Sequence, residues 1–171
     1  MPHNLRYGLY LGLITVAFSV AIVLIDYTLT QQTTVSLIPF VLTVTILIIA
    51  GRDLKEQQGG YLSFKEAFVS SFIIYAIAGA IIVVYQILLY NVFAPEIAEN
   101  LQKETLNQQV GVWEIMGMSD EEIDEQVAAM QDRNIFGPTW QLIAYAGSLL
   151  FGLIIAAIIA AIVKKNKPEF E

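Results

Sequence analysis

The sequence contains no cysteine and only one histidine, His3. The lack of cysteine excludes disulfide bonds, thiolate metal sites and cysteine nucleophiles. With one histidine near the N-terminus, we expect no common zinc site, Ser-His triad or Cys-His dyad. We interpret His3 as a flexible tail residue.

Phosphate-binding glycine motifs are also missing, because neither G-x-x-x-x-G-K-[ST] nor G-x-G-x-x-G occurs. Charged residues make up only 15% of the chain, and the basic ones are too few for a nucleic-acid surface. They suit anionic lipid headgroups instead. We therefore expect no enzyme, no cofactor and no nucleic-acid partner.

Hydrophobic residues, by contrast, make up 56% of the 171 residues. They are concentrated in long runs, and about 20 residues of helix cross a bilayer core. The sequence predicts an all-α polytopic protein with four transmembrane helices in two hairpins, forming a single membrane domain. The predicted spans cover about residues 7–29, 33–50, 67–92 and 140–163.

Local signals mark the limits of these runs. The first begins behind Arg6 and is longer than the apolar region of a signal peptide, so we expect a retained span. The second contains Pro39 near its start, ends at residues 51–53, and is the weakest prediction. Ser63 followed by Glu66 fits a capping box and predicts a helix start at about Phe64.

The distribution of basic residues predicts the orientation. Seven lysines and arginines fall on the side that holds both termini, and only Lys103 and Arg133 fall on the other. We expect both termini in the cytoplasm. Aromatic residues are expected at the two interfaces: Tyr7, Tyr10, Tyr61 and Phe64 inside, and Tyr27, Tyr90, Phe93, Trp140 and Tyr145 outside.

The segment 93–139 carries ten acids and two bases and is predicted to be a helical extracytoplasmic segment. One helix is expected from Pro95 to about Val112. A second begins behind Ser119, which forms a capping box with Glu122. Its acidic cluster is interpreted as a solvated helix start or, alternatively, a cation site. The apolar residues between the helices, expected to contact a membrane or a partner, are Trp113, Ile115, Met116 and Met118.

Asp26 is the one acid within the predicted spans, which makes it a candidate intramembrane polar site together with Gln86. Thr43 and Thr45 are weaker candidates. Asp26 lies about one turn from the outer end of its span. Three interpretations remain open: interfacial anchoring, a hydrogen bond between helices, and ion handling.

Small residues recur at every fourth position along the fourth span, which we call the small-residue ladder. The first span contains a pair of glycines with the same spacing. Such stripes let helix backbones approach closely in lipid. We predict a helix-packing seam, either inside the chain's own bundle or between copies of the chain. Its members are Ala144, Ser148, Gly152, Ala156 and Ala160, with Gly8 and Gly12 in the first span.

The stretch Gly-Gly-Tyr-Leu-Ser-Phe-Lys-Glu-Ala-Phe (59–68) precedes and opens the third span, and the small-residue last span ends in Lys-Lys-Asn-Lys-Pro. With the Gly-containing first span and the long acidic segment, this pattern resembles the bacterial domain-of-unknown-function family 4199. The resemblance covers nearly the whole chain. It implies a small four-helix protein of the bacterial inner membrane and supplies no activity, ligand or catalytic residue.

Two functional hypotheses follow. The first is a non-enzymatic subunit, scaffold or accessory protein of the cell envelope. It would bind another membrane protein or a second copy through the seam or segment 93–139. The second is an oligomeric transporter or channel for an ion or small solute, with Asp26 as the coupling site.

Overall fold

The structure of the chain is a computed structural model that describes residues 1–131 and 133–167. Asp132, one of the ten acids of segment 93–139, and Pro168, the proline of Lys-Lys-Asn-Lys-Pro, lie outside this part. Within it the elements are helical, and no strand occurs. In order they are α1 (His3–Asp26), a 3₁₀ turn (Tyr27–Gln31), α2 (Thr33–Gln57), α3 (Phe64–Leu88), a π-helical turn (Leu89–Phe93), α4 (Pro95–Ile115), α5 (Asp120–Gln131) and α6 (Pro138–Val163).

Four of the helical stretches are long and apolar enough to cross a membrane, which confirms the predicted number. Each has at least the roughly 20 residues that a bilayer core requires. Two of them include the turn that follows the helix. The stretches are His3–Gln31, Thr33–Gln57, Phe64–Phe93 and Pro138–Val163.

The chain divides into two compact units. We call residues 1–84 with 144–167 the bundle unit, and residues 85–131 with 133–143 the acidic unit. The bundle unit contains α1, α2, most of α3 and most of α6. The acidic unit contains the end of α3, α4, α5 and the start of α6. That the chain forms a single domain stays a prediction.

In the bundle unit, α1 and α6 each contact both α2 and α3. Residues of α1 bond to Asp53 of α2 and pack on Ile77 of α3, while α6 packs on Gly51 of α2 and Gly79 of α3. The core is aliphatic. Its buried members are Leu11, Leu47, Ala50, Leu62, Ala67, Ile74, Ala78, Ile155, Ile159, Ala160 and Val163.

Helix α2 continues beyond its apolar run, through Arg52 and Asp53 to Gln57. A Cβ atom at Gly51 would lie 2.9 Å from a methyl carbon of Val163, so the glycine permits this close approach to α6. Pro39 is the seventh residue of the helix and lies beyond the first turn. The hydroxyl of Thr43 donates to the carbonyl of Pro39 at 2.8 Å, within the continuous helix.

The capping box before α3 is confirmed. The amide and hydroxyl of Ser63 donate to Glu66 Oε2 at 3.1 and 2.6 Å, and α3 begins at Phe64 as predicted. The preceding turn requires glycine, because Gly59 and Gly60 have φ of 75° and 88°. The amide of Gly60 donates to the carbonyl of Lys55 at 2.9 Å and closes the end of α2.

In the acidic unit, α4 packs against α5 through a small apolar contact. Leu101 is 2% exposed, and Ala98 and Ile123 are also buried. The side-chain amide of Gln102 on α4 donates to the carbonyl of Arg133 at 2.9 Å, which holds the chain after α5. Two helices are therefore present in the segment 93–139, as predicted.

Candidate functional site

The last three residues of the small-residue ladder are buried within the bundle unit. Gly152, Ala156 and Ala160 are buried, and a Cβ atom at Gly152 would lie only 2.5 Å from the ring of Tyr75 on α3. The first two residues of the ladder are less buried, because Ser148 is half-buried and Ala144 is exposed. This placement favours a seam within the chain from residue 152 onward. For Ala144, contact with a second copy stays a prediction.

Gly8 and Gly12 on α1 lie against α3. Cβ atoms at these positions would lie 2.7 Å from side-chain carbons of Ile77 and Ile81, respectively. Both glycines are buried. The pair therefore brings two helices of the same chain together, as small residues do where lipid surrounds the helices.

A third close contact was missed by the sequence analysis. The ring of Tyr145 lies over Gly79, where an added Cβ would be 2.8 Å away, and its hydroxyl donates to the carbonyl of Ala76 at 2.8 Å. The ring of Tyr145 therefore packs on α3, and its position at the outer interface stays a prediction. Gly79, a glycine within the third apolar run, was the available signal.

Asp26 is exposed at the end of α1. One carboxylate oxygen accepts hydrogen bonds from the amide of Thr28 at 2.9 Å and from its hydroxyl at 2.8 Å. The side chain thus caps the 3₁₀ turn between α1 and α2. Gln86, which belongs to the acidic unit, is half-buried. The structure gives Asp26 a local structural role, and ion handling stays a prediction.

The main polar cluster lies at the end of the bundle unit that carries the N-terminus, which we call the terminal end. The carboxylate of Asp53 on α2 accepts hydrogen bonds from the guanidinium of Arg6 and from the hydroxyl of Tyr7 at 3.0 Å. The His3 ring lies 4.9 Å from that of Tyr7, with Nδ1 3.6 Å from the same carboxylate. The flexible-tail interpretation of His3 is wrong, because α1 begins at this residue.

Three further contacts at the terminal end join distant parts of the chain. The ammonium of Lys55 donates to the carbonyl of Val163 at 3.1 Å, where α6 ends. Leu62 and Lys165 exchange two backbone hydrogen bonds, of 2.9 and 2.8 Å. A third contact links α1 to α3, since the hydroxyl of Ser70 donates to Asn4 Oδ1 at 2.7 Å. Polar groups therefore connect all four helices of the bundle unit here.

In the acidic unit, the capping box at α5 is confirmed. The amide and hydroxyl of Ser119 each donate to Glu122 Oε2 at 2.9 Å. These hydrogen bonds hold the pKa of Glu122 below its ordinary value, the bond from the backbone amide having the larger effect. Within residues 1–131 and 133–167, no group of three or more histidine, aspartate and glutamate side chains is arranged to hold a metal ion.

The turn between α4 and α5 exposes large apolar side chains. Ile115 is 88% exposed and Met116 is 72% exposed, while Trp113 and Met118 are half-buried. Gly117 supplies the positive φ, of 78°, that reverses the chain. We call residues 112–118 the apolar turn.

A family model matches the chain. The model described as "Protein of unknown function (DUF4199)" covers residues 6–165, nearly the whole chain. The chain belongs to this family. Searches of curated proteins and of solved structures found no match. The DUF4199 match includes both halves of the polar cluster, Arg6 and Asp53, and ends at Lys165. The family description names no activity.

Proposed function

We propose that this protein is a non-enzymatic accessory or scaffold subunit of a membrane assembly, and that it docks a protein partner through the apolar turn. The exposure of Ile115 and Met116 carries the proposal. The chemistry of the bundle unit supports it, because the hydrogen bonds described there connect helices to one another.

The free energy of docking would come from covering these side chains. Full burial of one isoleucine or methionine side chain contributes about 1.5–3 kcal/mol. Ile115 and Met116 are adjacent at the C-terminal end of α4, so one shallow apolar depression on a partner would cover both. Trp113, already half-buried, would border the contact.

Charge restricts the kind of partner. Glu114 adjoins the apolar side chains, and Asp120, Glu121 and Glu122 form the first turn of α5 directly after the apolar turn. An anionic membrane surface would repel this rim, whereas a protein with lysines or arginines around an apolar depression would attract it. The proposed partner is therefore a protein with a basic rim.

Site-specific photocrosslinking in native membranes tests the proposal. A photoreactive residue at position 115 of the full-length chain should give one defined protein adduct, and the same residue at the exposed position 107 should not. The variant Ile115→Ser/Met116→Ser should lose copurification of that protein. The matched variant Asn107→Ser/Gln108→Ser, which changes exposed polar residues of the same helix, should retain it.

Equal crosslinking from positions 107 and 115, or retention of the adduct partner by the Ile115→Ser/Met116→Ser variant, would overturn the proposal. An adduct with a second copy of the chain would instead support the predicted homo-oligomer. Transport by an oligomer has less support, because the carboxylate of Asp26 is exposed and bonded to Thr28.

A further inference from the structure

A small polar groove lies at the terminal end of the bundle unit, between the chain before α3 and the chain after α6. Its volume is about 370 Å³. We call it the terminal groove. It is lined by Gln58, Tyr61, Leu62, Ser63, Glu66, Lys165, Asn166 and Lys167.

The backbone holds this groove in place. The two hydrogen bonds between Leu62 and Lys165 fix the chain after α6 to the chain before α3. Leu62 itself is 1% exposed and belongs to the core. The positions of Lys165 and its neighbours are thus set by buried structure, although their side chains are exposed.

The helices beside the groove show its position along the apolar spans. Helix α6 ends at Val163 and α3 begins at Phe64, so the apolar spans stop at this level. The ammonium of Lys164 lies 5.9 Å from the ring centre of Phe64, and that of Lys165 lies 5.5 Å from the ring centre of Tyr61. Aromatic rings with neighbouring lysines are typical of the headgroup region of a bilayer.

The charge of the groove favours an anion. Lys165 and Lys167 contribute two positive charges against the one carboxylate of Glu66. That carboxylate already accepts two hydrogen bonds from Ser63. Among the described residues, no acid lies within salt-bridge distance of either lysine, and the lining keeps a net charge of +1 after the electrostatic interaction of Lys167 with Glu66 is counted. The side-chain amides of Gln58 and Asn166 can donate further hydrogen bonds to phosphate oxygens.

We propose that the terminal groove binds the headgroup of an anionic phospholipid, with the phosphate held by Lys165 and Lys167. Basic pockets between membrane-spanning helices bind lipid phosphates in this way. A lipid is favoured over a free phosphate because the groove lies where the apolar spans end. The site is independent of the partner surface proposed above.

Lipid titration of the purified full-length protein in detergent tests this assignment. Phosphatidylglycerol should raise the melting temperature and remain bound in native mass spectrometry, and phosphatidylcholine should do neither. Lys165→Gln/Lys167→Gln should weaken phosphatidylglycerol binding by about tenfold or more, since each lysine near a lipid surface contributes substantially to attraction. The backbone hydrogen bonds between Lys165 and Leu62 do not involve the lysine side chain, so the substitution should leave them in place.

A matched variant, Arg52→Gln/Lys103→Gln, removes the same charge at exposed residues outside the groove and should bind like the wild type. Equal loss in both double variants, or unchanged binding after substitution of the two groove lysines, would overturn the site. An equal response to soluble glycerol phosphate would overturn the lipid assignment. If the lysine-to-glutamine variant is unstable, Lys167→Glu alone should abolish selective binding, and retained selectivity would equally refute the proposal.

Discussion

The guanidinium of Arg6, the fourth residue of α1, donates a hydrogen bond to the carboxylate of Asp53, near the end of α2. The two residues are 47 positions apart, and both side chains are more than half-buried. Tyr7 donates to the same oxygen atom. This charge-assisted contact joins two neighbouring helices of the bundle unit at the terminal end.

Replacing Asp53 with leucine should destabilise the bundle unit, because Arg6 and Tyr7 would lose their hydrogen-bond acceptor. The change is measured as a lower melting temperature of the detergent-solubilised protein. Glu56→Leu, which removes an exposed acid one turn along the same helix, is the control and should have little effect. Equal melting of both variants would contradict a structural role for Asp53.

Gly152→Ala should destabilise the contact between α6 and α3, since the added methyl group would lie 2.5 Å from the ring of Tyr75. Overpacking of this kind costs about 1–3 kcal/mol. Gly147→Ala on the same helix is the matched control, because nothing lies within 4 Å of a Cβ atom there. The melting temperature of Gly152→Ala should be lower than that of Gly147→Ala. Equal melting temperatures would contradict the close packing of α6 on α3 at Gly152.

Lowering the pH should loosen the start of α5. The pKa of Glu122 is depressed in the folded chain below its ordinary value of 4.5. Its stabilising contribution is therefore complete above pH 4.5 and is lost as the pH falls through the depressed value. Hydrogen exchange of the α5 amides, corrected for intrinsic rates, should report this loss.

Glu122→Gln provides the comparison for that experiment. The glutamine side chain keeps an oxygen acceptor for Ser119 and does not titrate. The variant should therefore show less change in α5 protection over the same acidic range. An identical pH dependence in wild type and variant would assign the effect to the other acids of the helix.

Asp26→Asn should leave the melting temperature and any ion or solute flux through reconstituted vesicles nearly unchanged. Asparagine retains an oxygen acceptor for the amide and hydroxyl of Thr28, so the cap persists without the charge. A loss of flux at unchanged stability would restore the transport hypothesis and assign Asp26 the coupling role.

Much of the fold was predictable because the signals are local. The apolar runs predicted four helices long enough to cross a membrane, and the patterns Ser63–Glu66 and Ser119–Glu122 predicted where α3 and α5 begin. Capping depends on residues three positions apart, so its geometry is contained in the sequence. The expectation for His3 failed because its ring packs on Tyr7 and faces Asp53, a residue 50 positions away.

The sequence by itself determined the number, the apolar character and the start signals of the helices, because hydrophobic length and capping act over a few turns. Only the tertiary structure decided which residues meet. It paired Arg6 with Asp53, Gly152 with Tyr75 and Leu62 with Lys165, contacts that join separate helices or chain segments. The physical reason is that such contacts depend on which faces of the packed helices approach each other, and small residues alone do not specify their partner.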